Sequence, residues 1–342
     1  DVPACGYKTY RLAARNDKPR FEGGVMADDT GIENEFYRVK VDHESGRIVS
    51  IHDKEAKREL LDSDPSHGFG QFVVRRPDTP NEHMLSELKV DRIKNDAVSA
   101  VIELRGTAYG HPKIVETVTL YAGVKALHVA VSVLKDGTPL LNAHVAFPFR
   151  LEKPRFRYEG CLSVMNPIMD FLPGCHSDSL AVQNWVKASN DDFSILFSAL
   201  DAPMVCFGEL WPGYVSPAHS CIFNESTVHE PIKSADIKNG WIFSNVFANN
   251  FGTNFYATQT GDSLFRYVIT TRSGDFSDGE SARWGAAAMT GFEQIFTERR
   301  KEGILPVADS FVQIDNPDVM MQTCKRAEDG KGVIVRLWNS TN

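Results

Sequence analysis

The chain has 342 residues, 42% apolar and 24% charged, enough for a large core and too apolar for disorder. Its 37 Lys and Arg against 45 Asp and Glu give a net charge of −8, which argues against nucleic acid as a partner, because phosphate contacts need a basic face. Apolar runs such as Leu127–Leu134 fall far short of the roughly 18 residues of a membrane helix, so no membrane partner is expected either.

Residues 1–27 carry Pro3, Pro19, Gly23 and Gly24 among charges and read as a linker with one short lead-in strand. Tyr37, Val39 and Val41 then alternate with Arg38, Lys40 and Asp42, and alternation resumes from Arg47 to Ile51 after a short loop. That is the pattern of a half-buried β-hairpin, with Gly46 supplying the positive φ its loop demands. Lys54–Leu61 has room for two helical turns. Val98, Ala100, Ile102 and Leu104 share a face, Gly106–Pro112 reads as a breaker, and Ile114–Leu120 is rich in β-branched residues. Leu127, Val129, Val131 and Val133 share the next face, completing an antiparallel meander.

Phe193–Leu200, Met204–Leu210, Asn254–Thr258 and Leu264–Thr270 also look extended, and Gly291–Arg300 reads as a short helix. The pattern breaks near Lys301–Pro306, and Phe311–Ile314 and Val333–Leu337 look like strands of another unit. The expected fold is all-β, built of large packed antiparallel sheets, because neither βαβ alternation nor a dinucleotide fingerprint is present. A strong strand pattern just before Asn342 reads as an unfinished sheet edge, so an excised piece of a longer protein is expected.

Few residues announce chemistry. The strong single motifs for metalloproteases, serine hydrolases, P-loops and EF-hands are missing. The six cysteines (Cys5, Cys161, Cys175, Cys206, Cys221, Cys324) form no CxxC pair and read mostly as small buried hydrophobes. Asp170, Cys175, His176 and Asp178 cluster around Pro173-Gly174, and Asp62, Asp64 and His67 form a second, similar group. Neither spacing fits a ligand template, so polar loop tips are the preferred reading. Trp185, Trp211, Trp241, Trp284 and Trp338 could stack on a sugar ring, but in an all-β chain such residues serve mainly as packing. The most suggestive stretch is Asn245–Phe255, where four Asn interleave with aromatics. Fixed amides beside apolar walls suit a hydroxyl-rich ligand; loop asparagines bonding their own backbone are the equal alternative.

Several blocks carry a family likeness. Gly6–Tyr10, Glu33–Phe36 with Gly46–Lys54, Gln183–Val186, Asn249–Phe255 and Gly332–Asn339 resemble, in order, the C-terminal β region of glycoside hydrolase family 38, the α-mannosidase family. The resemblance implies a galactose-mutarotase-like supersandwich over residues 28–297, and the beginning of a terminal β-sandwich over 298–342. It implies a parent that is a retaining α-mannosidase, with a nucleophile and an acid/base about 5–5.5 Å apart. In the family the nucleophile and the zinc ligands precede the segment present here. No catalytic residue and no metal ligand is therefore carried over, no cofactor is expected in this chain, and zinc is expected in the missing catalytic domain.

The implied partners are the parent's own N-terminal catalytic domain and a mannose-containing carbohydrate. Asn249, Asn250 and Asn254 are the expected substrate-binding residues, and an apolar patch should remain where the missing domain docks. Two other functions stay open: a free-standing carbohydrate-binding or scaffold module, and an aldose epimerase. The epimerase would need a His acid and a carboxylate base, for which His111, His128 and His144 are available.

Overall fold

A computed structural model describes residues 2–14, 16, 24–62, 66–76, 79–172, 179–210, 237–249, 256–297 and 303–341. Among them the chain is nearly all β, with antiparallel pairing throughout, as the alternating sequence requires. The largest sheet has nine strands, ordered Ser163–Met165, Arg155–Gly160, Val186–Ser189, Phe193–Ala199, Gly261–Ser273, Leu127–Lys135, His111–Tyr121, Ser99–Ala108 and Glu87–Asn95. A six-stranded sheet runs Leu180–Ala181, Met204–Phe207, Ile242–Ala248, Asn142–Phe147, Phe72–Arg76 and Thr79–Leu85. A five-stranded sheet holds Met26–Asp28, Gly31–Glu33, Tyr37–Asp42, Arg47–Asp53 and Arg58–Glu59.

One apolar core joins all three. Val129, Val131, Ile195 and Ile269 of the nine-stranded sheet share it with Phe72, Val145 and Phe147 of the second and with Val39, Val41 and Ile51 of the third. Phe147 meets both Phe197 and Tyr267 across the gap, and Phe247 meets Phe265 edge to face. This packing of sheets over a common core is the large antiparallel sandwich the sequence implied. Two ribbons complete the fold. Gly6–Lys8 pairs with Ala308–Ser310, and Val319–Arg326 pairs with Val333–Asn339. No helix among the described residues is long and apolar enough to cross a membrane.

The local expectations divide cleanly. The Tyr37–Asp42 and Arg47–Asp53 hairpin forms as read, with Gly46 at φ +64°. Leu127–Lys135 alternates buried and half-buried positions along its whole length. Lys54–Leu61 is not helical: a turn follows Asp53, whose buried carboxylate accepts the Ala56 N–H, and Arg58–Glu59 pairs as a strand. Gly106 does not break its strand. It sits inside Ser99–Ala108 opposite Leu88, where an added Cβ would come 1.8 Å from the Glu87 carbonyl oxygen, so glycine is what lets the two strands approach. Residues 291–297 form no helix, and Phe311–Ile314 is irregular beside the strand Ala308–Ser310. Tyr256–Thr258 is not a strand; Asn254 and Phe255 lie outside the described residues.

The helix of the described chain lies elsewhere, at Asp278–Met289, started by a capping box between Ser277 and Glu280. Its buried face is Gly279, Ser281, Ala282 and Gly285, small residues that give no apolar stripe to read. Gly285 lets the fully buried Trp185 lie against the helix, where a Cβ would come within 2.7 Å of the indole. Arg272 and the Ser277 N–H hold the Glu280 carboxyl down at about 2. Ser277→Ala should cost about 1 kcal/mol, read as a lower urea midpoint with unchanged m-value.

Of the described cysteines only Cys206 is buried. Cys5, Cys161 and Cys324 are exposed, because two lie at tight turns and one on an open ribbon. The tryptophans behave as packing residues. Trp185 is core, Trp241, Trp284 and Trp338 pack half-buried against satellite clusters, and Trp211 lies outside the described residues.

Candidate functional site

The antiparallel pairing gathers polar residues at one end of the sandwich. The strand Asn142–Phe147 begins there, with Asn142 opposite Arg75 on one side and Ala248 on the other. His144, two residues on, faces Val73 and Asn245. Asn249 follows the end of the strand Ile242–Ala248, and its N–H donates to the Leu141 carbonyl at 2.9 Å. From the larger sheet, His111 starts its strand and Lys135 ends the neighbouring one.

Lys135 is buried on the inside of a loop. Its ammonium donates to the carbonyls of Asp136 at 2.9 Å and Thr138 at 2.5 Å, and Leu140 N–H donates to Ala257 O at 2.8 Å. These bonds tie the 136–141 loop to the chain that follows the asparagine-rich stretch.

Among the described residues, several buried polar atoms on either face of the six-stranded sheet or beside it lack a hydrogen-bond partner. They are both amide atoms of Asn142, Nε2 of His111, Nδ1 of His144, and the amide oxygens of Asn245 and Asn249. Leaving such an atom unpaired costs about 1–3 kcal/mol, so each is a place where a further hydrogen-bonding partner gains most. The amides offer donors and acceptors together, which is what hydroxyl groups require.

The imidazoles here are neutral at pH 7. Burial pushes His111 down to about 4, against the Tyr109 carbonyl its Nδ1 meets at 2.7 Å. Burial and then the Arg75 charge hold His144 well below the usual histidine range. On the same sheet face His67 Nε2 and His83 Nδ1 are 2.9 Å apart. Burial, followed by the neighbouring His83, pushes His67 down to about 4. The site can therefore orient and hydrogen-bond, and supplies no imidazolium near neutrality.

Of the residues expected to bind substrate, Asn249 reaches this end, and Asn250 and Asn254 lie outside the described residues. Asn142 carried no sequence signal, since it reads as an ordinary strand position, and His144 stood out only as a histidine available to an epimerase. Asp62 accepts from the Trp241 indole N–H at 3.3 Å, and Asp170 accepts from Asn166 N–H at 2.6 Å, both ordinary structural contacts. Asp64, Cys175, His176 and Asp178 lie outside the described residues. His128 is half-buried, edge-on to Tyr121. No three His, Cys, Asp or Glu side chains among the described residues converge as metal ligands.

Residues 32–166 match the family described as glycosyl hydrolases family 38 C-terminal domain. None of the curated proteins matches the chain. Among solved structures, the chain is similar to an alpha-mannosidase from Enterococcus faecalis V583, with 15% identity, TM-score 0.66, and coverage of 94% of this chain and 38% of that one. It is also similar to a protein in glycosyl hydrolase family 38 from Enterococcus faecalis, with 14% identity, TM-score 0.68, and coverage of 96% and 40%. The likeness is one of fold, and the chain spans about two fifths of the length of these structures.

Proposed function

We propose, on the premise that residues 32–166 carry the C-terminal domain of glycosyl hydrolases family 38, that this chain is the non-catalytic β region of a retaining, zinc-dependent α-mannosidase-like enzyme. The parent hydrolyses α-mannosides, with its carboxylates and zinc in an N-terminal domain. The supersandwich of residues 28–297 packs on that domain, and its polar end helps to shape the sugar pocket. The observation that carries this reading is the set of unpartnered buried amides at Asn142, Asn245 and Asn249, carried by two paired strands of the six-stranded sheet. Exposed Phe292, Ile295, Phe296, Ile304 and Val307 supply apolar surface suited to a docked domain.

The test pairs two measurements on the chain as it stands. Aryl α-mannoside should not be hydrolysed, with or without added zinc. Ligand-observed NMR should detect mannose or mannobiose, and Asn249→Ala should abolish the effect. Zinc-dependent hydrolysis by the chain alone would overturn the proposal. Failure of both sugars to bind would remove the sugar contact and leave a scaffold.

A further inference from the structure

A second site lies on the five-stranded sheet. A solvent-open cavity of about 420 Å³ is lined by Ala56, Lys57, Arg58, Glu59, Arg150 and Glu152. Two chain segments make its walls: the turn after Asp53, and the residues after the bridge between Leu61 and Phe149. Lys57 holds the left-handed conformation at φ +52°, unusual for a lysine and set by the turn that Asp53 fixes.

The charges around this cavity are unequally engaged. Glu59 is fully occupied: Oε1 accepts the N–H groups of Ile51, Leu60 and Leu61, and Oε2 accepts the Ser50 hydroxyl at 2.6 Å. The Arg58 guanidinium lies over the Phe193 ring, 4.8 Å from its centroid, and donates to the Arg150 carbonyl oxygen at 3.3 Å. Lys57, Arg58 and Arg150 have no carboxylate within ion-pair distance among the described residues, in a chain whose net charge is −8. Three cations without a paired carboxylate line one cavity, and two of them are planar donors, a set that suits a tetrahedral oxyanion.

We propose that this cavity binds a phosphate-sized oxyanion, free or carried on a sugar. Lys57 and Arg150 supply charge and donors, Arg58 is held in place by Phe193, and Glu152 opposes binding from the rim. The site is separate from the polar end of the sandwich and does not depend on the family reading.

The test is calorimetric titration of the intact chain with inorganic phosphate, sulfate, a hexose 6-phosphate and the free hexose. Phosphate should bind, and binding should weaken as salt is raised. Arg150→Gln should weaken it about tenfold, the loss expected for a charge-assisted hydrogen bond. Glu152→Gln should tighten it. Both side chains are exposed, so neither change threatens the fold, and the gain in Glu152→Gln cannot come from damage. Hexose phosphate binding more tightly than phosphate would assign a sugar-borne group, and equal binding the free anion. No binding by the unaltered chain, or equal binding by Arg150→Gln, would overturn the proposal.

Discussion

Glu116→Gln should stabilise the chain, and the gain should grow as pH rises. Glu116 is completely buried between Leu104 and Val131 of the neighbouring strands, with Oε1 unpartnered. Its carboxyl lies against Gly70, where a Cβ would stand 2.0 Å from Oε1. Burial pushes its pKa up from 4.5 to about 8. Between those values the folded chain holds a proton that the unfolded chain has released, so stability falls with rising pH across that window.

The loss at pH 7 is about 3 kcal/mol, since each pH step above the unfolded value weakens the fold by about 1.4 kcal/mol. Gln keeps the shape and cannot ionise. Urea unfolding of both forms from pH 4 to 8.5 should show near-equal stability at the acid end and a widening difference above it. A difference independent of pH would mean that Glu116 ionises normally in the folded chain. His67 and His111 act in the opposite sense. Held neutral at about 4, they weaken the fold as pH falls below 6.5, but both forms share that effect.

Gly46→Ala should be the most damaging small substitution in the hairpin Tyr37–Asp53, costing about 3–5 kcal/mol when left-handed strain and overpacking are combined. Gly46 has φ +64°, and its N–H donates to Asp42 O at 2.9 Å to close the loop. An added Cβ would stand 1.9 Å from the Leu88 carbonyl oxygen, a backbone atom that cannot swing aside. The loop therefore lies directly on the edge strand Glu87–Asn95. Gly123→Ala provides the control. Gly123 has φ +72° with nothing within 4 Å, so only the conformational term of about 1–2 kcal/mol applies. Equal losses in the two variants would show that the contact with Leu88 is not maintained in solution.

The asparagine stretch shows how far a local reading extends. It identified Asn249 as a residue worth testing, because amides among aromatics have few chemical uses. It did not reveal that Asn142, distant in sequence, lies opposite Ala248, the residue before Asn249, or that His144 lies opposite Asn245. Those pairs follow from a register shift between Ala143 and His144. A bulge of this kind leaves no mark in either strand's composition. Glu116 poses the same difficulty: its place between Ile114 and Val118 puts it on the apolar face by parity, yet a charged residue in an amphipathic run reads as solvated until the opposing sheet is present.

By itself the sequence determined the strand-dominated class, the alternating faces of the meander, the need for glycine at 46 and the family likeness. Each rests on a period or turn written within a few consecutive residues. Tertiary structure decided which strands became neighbours, where the small-faced helix Asp278–Met289 found Trp185, and which polar groups were buried. It also brought Lys57, Arg58 and Arg150 to one cavity. Those outcomes depend on contacts between residues far apart in the chain, whose free energies arise only when the sheets close on a common core.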